Sequence, residues 1–419
     1  MISAEEALGR ILSYVHVLEK EERPILECLG QVLADDIYSA INIPPLDNTA
    51  MDGYALQAES VMGASKDSPR ILGVIGEVAA GSITEQEVAP GTAVRIMTGA
   101  AVPRGADSVV RFEDTDEVER KDSSAGLSEI GILCEVPAGL NIRRAGEDIV
   151  QGALVLRKGT VLRPSEIGVL ASLGWSRAPV IRRPVVAVLA TGSELTEIGQ
   201  SLPHGKIYNS NTYSLAAQVL RYGGIPMILG IAPDTAEALR DKIHQGLECD
   251  MLITSGGVSQ GDYDMVKDVL AEKGEITFWT VRIKPGKPLA FGVIRGEGEG
   301  AMPHLGLPGN PVSSMVTFEL FARPAILKMM GKKSLAKPTV LAIMESSVKN
   351  SDERRLFTRV IVTKSDGKYY ARLTGPQGSG ILTSMTQANG LAIIPEGVAE
   401  IKEGDMAQVM MLDWNEDQG

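Results

Sequence analysis

Cysteine, histidine and clustered positive charge are scarce in this chain, and each shortage removes a class of function. Only three of the 419 residues are cysteines, Cys28, Cys134 and Cys249. They stand far apart in apolar surroundings without CxxC or Cys/His spacing, so buried free thiols are expected rather than a zinc site or a disulfide framework. The four histidines, His16, His204, His244 and His304, are dispersed, and no histidine base is expected. No apolar run approaches the roughly 18 residues of a membrane span. The opening MISAEEALGR also lacks the basic and apolar regions of a signal peptide. The expectation is a cytoplasmic protein with no membrane partner. Basic runs go no further than pairs such as Arg143-Arg144, and 41 Lys+Arg against 53 Asp+Glu leaves a net charge of −12, which argues against nucleic acid as a partner. Any anionic ligand has to be held by local groups.

The chain does have enough apolar content for several cores. Hydrophobic residues make up 44% and charged residues 22%, and at about 150 residues per domain the length suggests three or four domains. The first segment, SAEEALGRILSYVHVLEK, places Leu8, Ile11, Leu12, Val15 and Leu18 at helical spacing, with Ser3 and Glu6 in capping-box positions. It reads as an amphipathic helix whose burial partner lies elsewhere. From about 70 to 162 the chain is short β-rich runs between Gly, Pro and Asp signals, followed by a short helix, PSEIGVLASLGW, ending at Gly174. Strands then alternate with helices: PVVAVLA, a helix after NSNTY, IPMILGIA, a helix over 235–247, DMLIT, the helix of MVKDVL, ITFWTV, and HLGL before a long helix from Pro311. That alternation predicts a parallel sheet with right-handed crossovers. The last ninety or so residues return to short strands, a small β domain.

In an open parallel sheet, ligands bind beyond the carboxyl ends of the strands, where loop N–H groups can hold an anion. "TSGGVSQG" sits at such an end, as do "ATGSEL" and "LPGNPVSS", and "NSNT" at 209–212 starts a helix. Any one of these could be a plain turn. Together they predict one crevice for a phosphate-bearing ligand, with glycines permitting close backbone approach and hydroxyls adding donors. Neither the P-loop nor the GxGxxG fingerprint fits. Glu194, Asp262 and Asp264 flank the loops, and carboxylates beside phosphates commonly act through a hard cation such as Mg2+, although acids at helix N-termini can also serve only the dipole.

The motifs "NTAMDGYAL" (48–56), "RIMTGAAVPRGADSVVRFEDT" (95–115), "RRAGEDI" (143–149), "LATGSEL" (189–195), "SGGVSQGDYD" (255–264), "KPGKPLAFG" (284–292) and "LPGNPVSS" (307–314) run colinearly through the chain. In this combination it resembles the molybdopterin molybdenumtransferases, the family related to the C-terminal domain of gephyrin. The resemblance implies insertion of molybdate into adenylylated molybdopterin with release of AMP, assisted by Mg2+. It implies a homodimer of elongated subunits, with molybdopterin adenylyltransferase and molybdoenzyme clients as further partners. The implied fold is a multidomain α/β plus β protein. A molybdopterin-binding-like α/β domain would comprise 1–20 and 176–330, and a linking domain 21–45 and 139–175. A β-rich insertion would occupy 46–138 and a C-terminal β-barrel domain 331–419.

Carried over position by position, the resemblance assigns the ligand's phosphate and nucleotide parts to Ser255, Gly256, Gly257 and Ser259, to Thr191 and Gly192, and to Pro308, Gly309, Asn310, Pro311 and Ser313. Glu194 and Asp264 are the cation candidates. Lys284 and Lys287 flank a Pro-Gly turn, where two ammonium groups can face one dianion such as molybdate, though lysines on a turn are commonly just solvated. Asp52, Thr98 and Asp148 complete the catalytic candidates; Asp52 and Thr98 would reach the crevice from the partner subunit. Arg359 and Ser379 correspond to positions near molybdate, with Arg355 as the alternative arginine. Gln260 and the Asp262-Tyr263 pair are small departures that keep the loop length. A non-catalytic molybdopterin-binding scaffold is the competing reading, and the presence of Asp52, Glu194 and Asp264 favours the enzyme.

Overall fold

The computed structural model describes residues 1–120, 127–233, 235–257, 274–295 and 301–413. Its central element is the run VVAVLAT, β1 (Val185–Thr191), apolar along nearly its whole length because both faces are covered. Around it lie β2 (Ile225–Ala232), β3 (Met251–Ser255), β4 (Gly274–Thr280), β5 (Pro288–Arg295) and β6 (Ala301–Leu307), in the order β2-β1-β3-β6-β5-β4. The pairs β1–β2, β1–β3 and β3–β6 are parallel. The expectation of a wholly parallel sheet is corrected at one strand: β5, the run PLAFGVIR, is antiparallel to both β6 and β4. The links on either side of β5 are too short for a parallel crossover, which needs a dozen or more residues.

Helices α2 (Ser210–Arg221) and α3 (Ala236–Gln245) cover the sheet. Asn209 and Thr235 cap them, each accepting a backbone N–H from the first turn. The helix expected from Pro311 consists of α4 (Pro311–Thr317), a π-helical stretch over Phe318–Ala322, and α5 (Arg323–Met329). The helix expected over MVKDVL lies outside the described residues.

At the N-terminus, α1 (Ala4–Ser13) is shorter than its apolar periodicity suggested. Ser3 Oγ accepts the Glu6 N–H at 3.0 Å, but the reciprocal half of the capping box is missing because the Glu6 carboxylate turns to Arg10, 2.7 Å away. Ala7 and Ile11 are buried in the same core as Val186, Ile253 and Leu305, so the sheet supplies the partner that the amphipathic face required.

Residues between these segments form separate cores. Gly53–Leu56, Arg70–Val78, Thr92–Ile96, Ser108–Arg111 and Glu129–Ile132 make a five-stranded sheet. Lys20–Pro24 pairs antiparallel with Arg177–Ile181, joining the chain on either side of that insertion. Near the C-terminus, β7 (Thr339–Met344), β8 (Arg355–Ser365), β9 (Lys368–Leu373), β10 (Gly390–Ile394) and β11 (Met406–Met411) pair as β8-β9-β7-β11-β10, and β10 returns to β8. This closes a five-stranded barrel with no free edge. The three cysteines are free thiols; Cys28 and Cys249 are buried as expected, whereas Cys134 is only half-buried.

Candidate active site

Register determines which loops meet. Ala190 of β1 lies opposite Ser255 of β3, and Ser255 lies opposite Leu307 of β6, so three adjacent parallel strands end side by side. The loops that follow, at Thr191, Gly256 and Pro308, are brought together by strand order. They border a cavity of about 370 Å3 whose walls include Thr191, Glu194, Asn211, Ser255, Gly309 and Asn310, with Gly380 and Leu382 of the barrel region on another side.

Glycine at 256 is a packing requirement. Its φ is +91°, and a Cβ there would lie 2.6 Å from the carbonyl oxygen of Thr191 and 3.0 Å from its Oγ1. At Gly192 a Cβ would meet the Glu194 carboxylate at 2.5 Å. The Gly256 N–H donates to Leu307 O (3.1 Å), joining β3 to β6 just before both loops diverge. Thr191 Oγ1 is buried and has no hydrogen-bond partner. Ser255 is 3% exposed, yet it lines the cavity.

Asn211 is a site residue that the sequence reading missed. Its Nδ2 donates to Ser255 Oγ (2.8 Å) and to Gly309 O (2.7 Å), tying the second and third loops together. A carbonyl can only accept, which fixes the orientation of the amide. The available signal was the NSNT segment, recognised as a helix start but not followed two residues inward from its Asn209 cap.

The other candidates occupy distinct places. Gly257 and Pro308 are buried beside the cavity loops, and Pro311 lines the cavity as the first residue of α4. Ser313 is buried on α4, and its carbonyl accepts from Thr317 Oγ1 (2.7 Å). Gly286, between the two lysines, is seated against α4, where a Cβ would lie 2.4 Å from Thr317 Cγ2. Lys287 is exposed and opens to a second, larger cleft of about 970 Å3, shared with Arg282, Asp352, Arg354 and Glu396. Lys284 is half-buried in a short pairing with β8. Its charge contributes to holding the Asp352 carboxyl down at about 2, after the larger effect of Arg354. Ser259 and Asp264 lie outside the described residues.

The structure separates the two arginine alternatives. Arg355 pairs with Glu5 and stands 4.0 Å from Glu396. Arg359 is 1% exposed; its Nε donates to Ser384 Oγ (2.9 Å) and its Nη2 to Gly378 O (3.1 Å), and burial lowers its pKa. It therefore holds the loop that contributes Gly380 and Leu382 to the cavity. Ser379 belongs to the same loop, and its carbonyl accepts the Val312 N–H of α4 (3.1 Å).

Asp52 and Thr98 bond to each other in the insertion, and neither borders the cavity of the same chain. Asp148 is exposed in the linking region, its N–H donating to Ile43 O (3.0 Å). Among the described residues no three His, Cys, Asp or Glu side chains cluster as a metal site, and no helix is long and apolar enough to cross a membrane.

Family models match the chain in three consecutive blocks: the MoeA N-terminal region (domain I and II) over residues 2–174, a probable molybdopterin binding domain over 187–328, and the MoeA C-terminal region (domain IV) over 342–412. A Mycobacterium tuberculosis protein named molybdopterin molybdenumtransferase 2 is 37% identical over 395 residues, covering 92% of this chain and 93% of its own length. The molybdopterin molybdenumtransferase of Bacillus subtilis is 33% identical, with coverage of 98% and 94%. The solved structure of a molybdopterin biosynthesis moeA protein from Pyrococcus horikoshii superposes with a TM-score of 0.82 at 34% identity, covering 99% of both chains.

Proposed function

Since the chain belongs to the molybdopterin molybdenumtransferase family, we propose that it inserts molybdate into the dithiolene of adenylylated molybdopterin, releasing AMP and completing the molybdenum cofactor. It is a transferase of molybdenum cofactor biosynthesis. The observation that carries the proposal is the convergence of the Thr191, Ser255–Gly256 and Gly309 loops on one cavity at the ends of three adjacent parallel strands.

In this reading the protein contributes positioning and electrostatics rather than a covalent intermediate. Backbone N–H groups of the three glycine-bearing loops and the hydroxyls of Thr191 and Ser255 hold the pyrophosphate, and Gly256 lets the chain approach closely. Asn310, Pro311 and Ser313 set the wall formed by the start of α4. Lys284, Lys287, Arg359 and the Ser379 loop take the oxyanion. Metal insertion is coupled to hydrolysis of the phosphoanhydride, so a single commitment releases AMP and loads the dithiolene.

The described residues offer one cavity carboxylate, Glu194, amid hydroxyl oxygens. This hard-oxygen set suits Mg2+, which commonly binds through one or two carboxylates plus substrate phosphates. Glu194, joined by Asp264, would hold the ion, and its charge would offset that of the pyrophosphate. Asp52 and Thr98, absent from the cavity wall of their own chain, are assigned to the partner's site in a homodimer, with Asp148 in the adjoining linking region. The separate apolar clusters of the insertion, linking region and barrel support the four-domain division. Cytoplasmic residence, the adenylyltransferase and the molybdoenzyme clients complete the proposal.

The test is to incubate the purified protein with adenylylated molybdopterin, Mg2+ and molybdate, and then to reconstitute a cofactor-free molybdoenzyme. Client activity that needs both this protein and the oxyanion is the expected result. Its absence would remove the assignment.

A further inference from the structure

A buried polar cluster outside the cavity lining has no part in the reaction as described. Glu319 is 5% exposed within the π-helical stretch between α4 and α5. Lys337 Nζ stands 3.0 Å from its Oε2, with both side chains almost fully buried. The Tyr222 hydroxyl lies 2.8 Å from the same oxygen, and Gln218 Nε2 donates to Oε1 (2.9 Å). The ammonium of Lys337 and the guanidinium of Arg323 pack over the Tyr222 ring, at 5.2 and 5.1 Å from its centre. Burial is the largest influence on both ionisable partners, raising the Tyr222 pKa and lowering that of Lys337.

Hydrogen bonds continue from this cluster into the barrel. Lys337 Nζ also donates to Leu412 O (3.1 Å), an acceptor shared with Arg221 Nη2 (2.9 Å). The Leu412 N–H donates to Asn389 O (2.8 Å). The Asn389 side chain bonds both ways with the Val362 backbone, accepting its N–H at 2.6 Å and donating to its carbonyl at 2.9 Å. Val362 is on β8, the strand that carries Arg359. Arg359 holds the loop whose Ser379 carbonyl accepts from Val312 at the start of α4, and α4 leads back to Glu319. The ring of contacts is closed.

The surrounding contact between barrel and sheet domain is apolar, with Phe357, Met385, Leu391 and Leu412 sharing the core of α4 and α5. Apolar burial is strong but non-directional, so the orientation of the barrel on the sheet domain rests on directional contacts, which include this cluster and the short pairing of Ile283–Lys284 with Arg355–Leu356. A buried ion pair is a poor source of net stability compared with apolar packing, and its best-attested use is to select one arrangement among several.

We infer that Glu319, Lys337 and Tyr222 form an orienting joint that sets where the barrel holds Arg359 and the Ser379 loop over the cavity. They are positioning residues for the oxyanion half of the reaction and touch neither substrate. The inference rests on the proposed function, in which Arg359 serves molybdate while the Thr191 and Gly256 loops serve the nucleotide.

The test is the paired variant Glu319→Gln, Lys337→Met, which removes both members of the ion pair together and so leaves the net charge of the cluster unchanged. The expected result is a KM for molybdate raised about tenfold with AMP affinity, measured by calorimetry, changed less than about twofold. Faster amide exchange over 376–387 should accompany it. Tyr222→Phe, a milder change that keeps the ring, should shift the molybdate KM in the same direction by about threefold and serves if the paired variant fails to fold. Unchanged molybdate KM in the folded variants, or parallel loss of oxyanion and AMP binding, would overturn the joint while leaving the reaction intact. Wild-type protein showing no molybdate-dependent AMP release would instead overturn the parent reading, and the joint's role with it.

Discussion

The Asp52 carboxylate accepts two hydrogen bonds from Thr98, one from the backbone N–H at 2.6 Å and one from the hydroxyl at 2.7 Å. The backbone donor is the larger cause of its lowered pKa, with the hydroxyl second, so the exposed side chain is kept ionised and aimed in one direction. Asp52 does not line the cavity of its own chain. If it serves the partner's cavity, Asp52→Ala and Glu194→Ala proteins, each inactive alone, should complement on mixing. Random exchange gives about half mixed dimers, each with one intact site, hence about a quarter of wild-type activity. Verified subunit exchange without recovery would exclude the shared site.

Gly256→Ala should be severe for its size. The new methyl has to displace the Thr191 carbonyl while the backbone stays at a left-handed φ. A stability loss of about 1–3 kcal/mol is expected in denaturant unfolding, together with loss of AMP binding by calorimetry. Normal AMP affinity would show that the Thr191–Gly256 contact is not part of the ligand's seat.

Arg359 and Arg355 should separate in kinetics. Arg359→Met removes the donors that hold Ser384 and Gly378, so a fall of about 100-fold or more in kcat/KM for molybdate is expected, about 2.7 kcal/mol of transition-state stabilisation. Arg355→Ala loses partly exposed contacts with Glu5 and Glu396, each worth at most about 1 kcal/mol of stability, and should turn over normally. The reverse pattern would exchange the two assignments.

His304 provides a pH test of the sheet core. It is fully buried, with Nε2 3.0 Å from Thr254 Oγ1, and burial pushes its pKa down to about 3. A folded-state pKa below the unfolded value of 6.5 means that the unfolded chain binds the extra proton between the two. This residue's effect therefore lowers stability as pH falls from about 6.5 towards 3, with a limiting slope of about 1.4 kcal/mol per pH unit. His304→Gln should flatten that part of the urea-unfolding profile relative to wild type. An unchanged difference profile would show that His304 is not buried neutral.

Much of the site was legible because its chemistry is local. Gly192, Gly256 and Gly309 were marked by small residues directly after strong strand signals, and strand order then placed them together. PLAFGVIR was read only as part of the KPGKP motif, because the turn chemistry before it obscured a strand whose short links dictate antiparallel pairing. The end of α1 was overextended because Val15 is buried without being helical, so apolar periodicity outlasted the hydrogen-bonded turns. Asn211 was missed because its role lies in contacts to residues 44 and 98 positions away, which no local pattern encodes. The different settings of Arg359 and Arg355 likewise depend on a distant residue, Glu5 at the opposite end of the chain.

The central claim is that metal insertion and phosphoanhydride cleavage are one coupled event at the Thr191–Ser255–Gly309 cavity. It is tested most directly by counting AMP released against molybdenum bound in a single turnover with adenylylated molybdopterin and Mg2+. The account predicts about one AMP per molybdenum and almost no AMP when molybdate is withheld. AMP release at the same rate without the oxyanion, or molybdenum uptake without AMP, would contradict it.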